Sequence, residues 1–438
     1  MSRTIAMVKG TIWAAEWKTY ADRYTGLTVH QLTDYRGHSR LPYFTENSLY
    51  DGGKRLLFIS DRDNSANLFS IQLETGEMTQ LTTYTGNDDL DVALTPDEQY
   101  AIVSDGRMIR ALHLTNFRER IKFRCPKGHV LSNVTCTADG QSILVCVCED
   151  LSARIDTDLG NGYVGHQEWM EAKPLSCIMQ IDLKTGNARE LYREQHFITH
   201  INASPQLPWL ATFCHEGPWH LVDQRIWGID LRDGRVWAIR ERLTAGEAVG
   251  HECFLPDGEY IGYHGLREDG SHFFGRIRYD NTGMEEQEMP FATWHLYQNE
   301  RLVVADGQGD VDVLTVWQRK LAGAGLSDLL SSDSKDEHEV APSDERHSVA
   351  ASEGSEVKAH STASDSSEQE QYGYEKEYEG PFTVCELRCS FHSQKLHAHP
   401  RLSEDGRRLF FSSDRSGYSN LYMVELPEDV TSLPRWDK

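Results

Sequence analysis

A repeat restricts this chain more than any other feature. GGKRLLFISDRDNSANLFSIQLETGEMTQLT (52–82) and DGRRLFFSSDRSGYSNLYMVEL (405–426) share one order: turn, apolar strand, Ser-Asp-Arg turn, Asn-Leu-aromatic strand. Weaker copies lie between them, including TPDEQYAIVSDGRMIRALHL (95–114), TADGQSILVCV (137–147), SPQLPWLATFC (204–214) and LPDGEYIGYHG (255–265). The most degraded is TWHLYQNERLVVADG (293–307). Seven units of about 40 residues result, a period that marks solenoids and propellers. Short strands separated by Asp-Gly and Thr-Gly turns favour four-stranded blades, so the expected fold is all-β, a seven-bladed β-propeller.

The ends of the chain support closure. The last unit lacks a counterpart of TGEMTQLT (75–82), and the N-terminal region supplies TGLTVHQLT (25–33) before the first unit begins. That strand is expected to complete blade seven and so remove the open edges. A single propeller domain then spans residues 1–438, with two interruptions. The segment 153–172 is an insertion in blade three and could be helical. The segment 327–379, in blade six, carries fifteen acidic and four basic residues, is rich in Ser, and cannot bury enough apolar surface to fold. It is expected to be a disordered loop.

Of the formal charge of −24, that segment accounts for −11. A strongly acidic chain disfavours nucleic acid and anionic membranes as partners. The longest apolar run, SILVCVC (142–148), falls well short of the ~20 residues that span a bilayer. The start shows no continuous apolar h-region, and nine cysteines without a C-x-x-C pair suggest reduced thiols. A cytoplasmic protein is expected; nothing sets its oligomeric state.

Histidines recur at one level of the repeat. Counting back six places from the first-turn Asp gives Thr45, Asp91 and Asn133 in blades one to three. The same count gives His200, His251 and His399 in blades four, five and seven, with His295 at the matching place in blade six. Innermost strands of a propeller surround its channel, so equivalent positions converge. In QKLHAHP (394–400), a strand would point His397 and His399 the same way. Imidazoles with the amide oxygen of Gln394 suit a divalent transition metal such as Mn, Fe or Zn better than Ca or Mg. The alternative is a polar, water-filled channel.

FCHEGPWHLVDQRIWGID (213–230), GHECFLPDG (250–258), TWHLYQNERLVVADG and QKLHAHPRLSEDG (394–406) resemble the oligogalacturonate lyases, intracellular pectin-degrading enzymes. The similarity covers nearly the whole chain outside the acidic segment. The resemblance implies a seven-bladed propeller with a manganese-type site made by His295, Gln394, His397 and His399. It also implies that His251 matches the general base and that Arg225 matches the arginine of the long motif. His200, His215 and Arg225 become candidate substrate contacts. Chemically, an arginine is better suited to grip a substrate carboxylate than to give up a proton; the alternative for Arg225 is an ion pair with Asp223 or Glu216. Trp219-His220 departs from the His-Asp of relatives. The implied activity is metal-dependent β-elimination on a small acidic oligosaccharide, oligogalacturonide or another uronide. A non-catalytic propeller would need no histidine level, and a peptidase propeller would need a G-x-S-x-G hydrolase domain.

Overall fold

The second strand of each unit is apolar at consecutive rather than alternating positions. These strands are Arg55–Ser60, Tyr100–Ser104, Ser142–Glu149, Leu210–His215, Tyr260–Leu266, Leu302–Ala305 and Arg408–Ser413. Such strands need cover on both faces. The computed structural model, which describes residues 8–86, 89–158, 162–320 and 377–437, meets that need with seven antiparallel sheets forming a seven-bladed β-propeller. Outer strands, such as Ala188–Gln195, are largely exposed and carry charge.

Apolar side chains fill the wedges between neighbouring blades. Leu57 and Leu68 of blade one meet Val92 and Val103 of blade two. The ring closes in the same way, with Phe58 and Phe69 of blade one packed on Phe410 and Leu421 of blade seven. The N-terminal strand Thr28–Gln31 pairs with Asn420–Glu425, placing Val29 opposite Val424 and Gln31 opposite Tyr422. Closure therefore comes from the predicted strand, and Lys18–Ala21 adds a further strand outside it.

Charges lock this seam. Glu386, 4% exposed, accepts from Arg415 at 2.9 Å and forms ion pairs with Arg388 at 3.0 Å and Arg23 at 2.7 Å. Arg62, the arginine of the first Ser-Asp-Arg turn, is 1% exposed and holds both oxygens of Glu16, at 2.6 and 2.9 Å. Arg62 and Arg415 hold matching places in the repeat, and each is paired with a carboxylate.

The 153–172 insertion joins the second and third strands of blade three and includes a helix, His166–Glu171, whose Trp169 stacks on Phe197. In blade six, Val313–Arg319 pairs with Tyr378–Glu386, and Arg319 stands opposite Tyr378. Most of the expected acidic loop, 327–376, lies outside the described residues. Its last two expected members, Tyr378 and Glu379, belong instead to the strand because they pair with Arg319 and Gln318. Among the described residues no helix is long and apolar enough to cross a membrane.

Candidate active site

Four of the seven equivalent positions share an unusual backbone. Asn133, His200, His251 and His399 all have positive φ, between 40° and 51°. A non-glycine residue rarely adopts this conformation, and it concentrates at functional sites. In blades three, four and five the innermost strand loses register there, between Ser132 and Val134, Thr199 and Asn202, and Gly250 and Cys253. A β-bulge of this kind re-aims one side chain. The repeat thus builds a bulge where chemistry is needed.

Blade one departs from the pattern. Its innermost strand is split into Ser39–Arg40 and Leu49–Tyr50, both paired with Arg55–Ser60. Residues 41–48 loop out between them, so Thr45 is not on a strand. Phe44, 1% exposed, lies 5.4 Å from the ring of His295 and 5.7 Å from that of His251. Tyr43 lies 5.3 Å from both His200 and His399. Together they form an aromatic floor beneath the histidines. Nothing in the spacing of the repeat predicts it.

His295, His397 and His399 come together with ligand atoms within 4.8 Å of one another. Asp306 fixes His295: its Oδ2 faces Nδ1 at 3.0 Å, while its Oδ1 accepts from the backbone N–H of His295 and the hydroxyl of Thr293. A carboxylate on one imidazole nitrogen directs the other toward a metal. Among the described residues, Nδ1 of His397 and both ring nitrogens of His399 are buried without a partner. Such atoms are costly to leave unsatisfied, and a cation would satisfy them. Burial first, then the neighbouring imidazoles, holds His295 and His399 well below the ordinary histidine range. Burial also lowers His397. Neutral imidazoles are the form that ligates metal. These residues fit a divalent transition metal.

QKLHAHP is not a strand. Gln394–Leu396 makes a 3-10 turn, and the ladder begins only at Arg401, after Pro400, which has no N–H to donate. His397 and His399 nevertheless face one space, while Ala398 between them is fully buried in the core. Gln394 shares a cleft with His397, Trp294 and Phe391, and its amide nitrogen donates to the hydroxyl of Tyr163, 2.8 Å away on the blade-three insertion.

His251 stacks on His295 with ring centres 4.7 Å apart. Trp219 meets it edge-on at 4.9 Å, packed where any residue but glycine at Gly250 would collide with the indole. The Trp219-His220 departure therefore places an indole against the candidate base. Nδ1 of His251 lies 3.1 Å from Nε2 of His264. Burial first, then His295, His264, His200 and Arg225, keeps the His251 imidazole well below its ordinary range.

Two expected contacts change. Arg225, 6% exposed, is held between carboxylates of its own chain: Nη1 reaches Glu216 at 3.0 Å and Nε reaches Glu252 at 3.4 Å. The ion-pair reading is the one observed, with Glu216 and Glu252 rather than Asp223. The reason is burial, since a guanidinium taken out of water needs compensating charge. His215 turns away altogether. It follows Cys214 on one strand, so the two side chains point to opposite faces. Cys214 lies with His200 and Glu216, whereas the His215 ring stacks on His196 at 3.7 Å and its Nε2 faces Glu194 at 3.1 Å. Burial and His196 pull His215 down to about 4.

Glu216 anchors the remaining side of the site. It accepts from Arg225, His166, His200 at 3.0 Å and Thr199 at 2.8 Å. Against the penalty of burial, Arg225 and then the two histidines hold its carboxyl well below the usual range. The charge and acceptor position of Glu216 fix His200, whose Nδ1 is left buried without a partner. The HEGP motif contained Glu216, but its link to His166, in the insertion, was not readable from spacing.

A family model described as oligogalacturonate lyase matches residues 7–384. The chain belongs to the oligogalacturonate lyase family. It is accordingly an enzyme, a carbon–oxygen lyase. It is 25% identical to an oligogalacturonide lyase of Pectobacterium atrosepticum, across 97% of this chain and 100% of that relative. It is 26% identical to an oligogalacturonate lyase of Dickeya dadantii over the same shares, 97% and 100%. Its fold is similar to that of an oligogalacturonate lyase in complex with manganese, with a TM-score of 0.77, 23% identity and coverage of 97% and 100% of the two chains. An oligogalacturonate lyase from Vibrio parahaemolyticus is similar with a TM-score of 0.75, 20% identity and coverage of 96% and 99%.

Proposed function

We propose that this lyase cleaves short oligogalacturonides, digalacturonate and unsaturated digalacturonate, by β-elimination to 4-deoxy-5-keto uronate monomers, as a step in pectin breakdown in a reducing cytoplasm. The observation that carries the reading is the stacking of His251 on His295, 4.7 Å apart, which sets a candidate base against a candidate cation-holding imidazole. The nine cysteines, all unpaired, agree with a reducing compartment.

His295, His397 and His399, joined by Gln394, would hold the cation, and the solved relative in complex with manganese supports Mn2+. Bound there, a divalent ion would withdraw charge from the substrate carboxylate and stabilise the enolate-like character that develops at C5. The remaining chemistry belongs to the chain. A neutral His251 takes the C5 proton at an imidazole nitrogen. The C5–H electron pair becomes the C4=C5 double bond, the C4–O bond breaks, and the departing oxygen takes up a proton. Phe44 and Trp219 pack edge-on against His251. Arg225, paired and fixed, opposes a second positive charge on that imidazole. His200, held by Glu216 and packed on Tyr43, is the candidate substrate contact.

The same elimination on another uronide is the second reading, and it rests on Trp219, which departs from the pattern the resemblance implies and packs on His251. Digalacturonate and other diuronates should be compared by ultraviolet absorbance of the conjugated product and by mass analysis, with chelator and with added Mn2+. Turnover lost on chelation and restored by Mn2+ is expected with digalacturonate preferred. Failure to cleave any diuronate overturns the proposal.

A further inference from the structure

His264 is a buried imidazole, 3% exposed, on the second strand of blade five. It faces the innermost strand that carries His251. Its Nε2 lies 3.1 Å from Nδ1 of His251, and its ring also hydrogen-bonds the backbone carbonyl of Trp294, the residue before His295. Trp219 covers the pair, with its ring centre 5.3 Å from that of His264 and 4.9 Å from that of His251. A carbonyl only accepts, so it claims a proton on the nitrogen that faces it. A neutral imidazole carries one proton, which leaves Nε2 of His264 as an acceptor. Burial, outweighing the carbonyl contact, pulls this imidazole down to about 3, so it stays neutral.

We propose that His264 is a positioning residue that fixes the tautomer of the base: its Nε2 accepts the Nδ1 proton of His251 and leaves the lone pair of His251 on Nε2. The inference rests on His251 being the base. The consequence is directional. In the opposite tautomer His251 would present N–H to the substrate and could not take the C5 proton. The order of groups, carbonyl to imidazole to imidazole, parallels the carboxylate–imidazole orientation of hydrolase triads, but both relay members here are neutral.

The test uses the full-length, metal-loaded enzyme and the variants His264→Gln, His264→Leu and His251→Ala. Glutamine offers an amide oxygen to His251 and an N–H to the Trp294 carbonyl, so His264→Gln should keep turnover within about 10-fold. His264→Leu should lose roughly 10²-fold or more in kcat, part of the ordinary contribution of a general base, with KM and metal content unchanged. Nitrogen-15 NMR of the histidine rings in the unaltered enzyme should show His251 protonated at Nδ1 and lone-paired at Nε2, a readout that does not depend on any variant folding. A proton on Nε2 of His251, or equal turnover loss in His264→Gln and His264→Leu, overturns the proposal. Undiminished turnover in His251→Ala would instead overturn the base assignment, and the positioning role with it.

Discussion

His251 and His397 both face the channel, yet their loss should have different consequences. His397→Ala removes one of three clustered imidazoles, so bound metal should fall, and turnover with it, with partial recovery in excess Mn2+. His251→Ala leaves that cluster intact. Metal content and substrate affinity should hold while turnover drops by ~10²–10⁴-fold. Metal stoichiometry and turnover measured on both purified variants separate the two roles; the reverse pattern would exchange them. Asp306 extends the prediction, because its carboxylate holds Nδ1 of His295 at 3.0 Å. Asp306→Ala should weaken metal binding by about 10–100-fold, measured by titrating Mn2+ into the metal-free protein. An unchanged affinity would mean that Asp306 serves the fold alone.

At the scale of elements, the bulged inner strands and the Ser-Asp-Arg turns do separate work. The bulges place His200 and His251, and the turn arginines tie the N-terminal segment and the seam. Arg62 is buried against a bidentate Glu16 that is only 20% exposed. Removing Glu16 strands a buried guanidinium, a change that costs about 3 kcal/mol. Glu16→Ala should therefore lower the melting temperature by a few degrees, whereas Lys18→Ala, which breaks an exposed pair with Asp34, should shift stability by less than about 1 kcal/mol. Equal effects in calorimetry would remove the distinction between the pairs. The recurring spacing marks the bulge level but not the bulges, because an extra residue inside a strand leaves the apolar pattern on either side intact.

Across the whole molecule, blade six should tolerate loss of its acidic segment. Arg319 and Tyr378 are direct ladder partners, so a tight turn can join the two strands. Replacing residues 321–376 by a short Gly-containing turn should leave the melting temperature and the diuronate turnover unchanged. A deletion variant that melts much lower would show that the segment supports the propeller. The expected boundary at 379 would have cut into the strand, because Tyr378 and Glu379 read by composition as part of the acidic run while their pairing is set by Arg319 and Gln318.

Features that depend on neighbours along the chain are legible in the residues alone: seven blades from a recurring turn-and-strand order, closure from one missing strand and one spare, and the level at which the histidines recur. Each follows from local periodicity, which a strand's two faces and a turn's special residues impose within about 40 residues. Pairings made through space were set by folding. Arg225 could have met a substrate, Asp223 or Glu216; burial brought it Glu216 and, from the next blade, Glu252. His215 matched a motif but lies on the other face of its strand from Cys214, so alternation sent it toward Glu194. Tyr43 and Phe44 reached the histidines because a strand of blade one breaks open, and His264 met His251 across a pair of strands. Charges and rings carry no periodic signal of their partners; the folded ring chooses the partners by distance and by the cost of leaving a buried group unsatisfied.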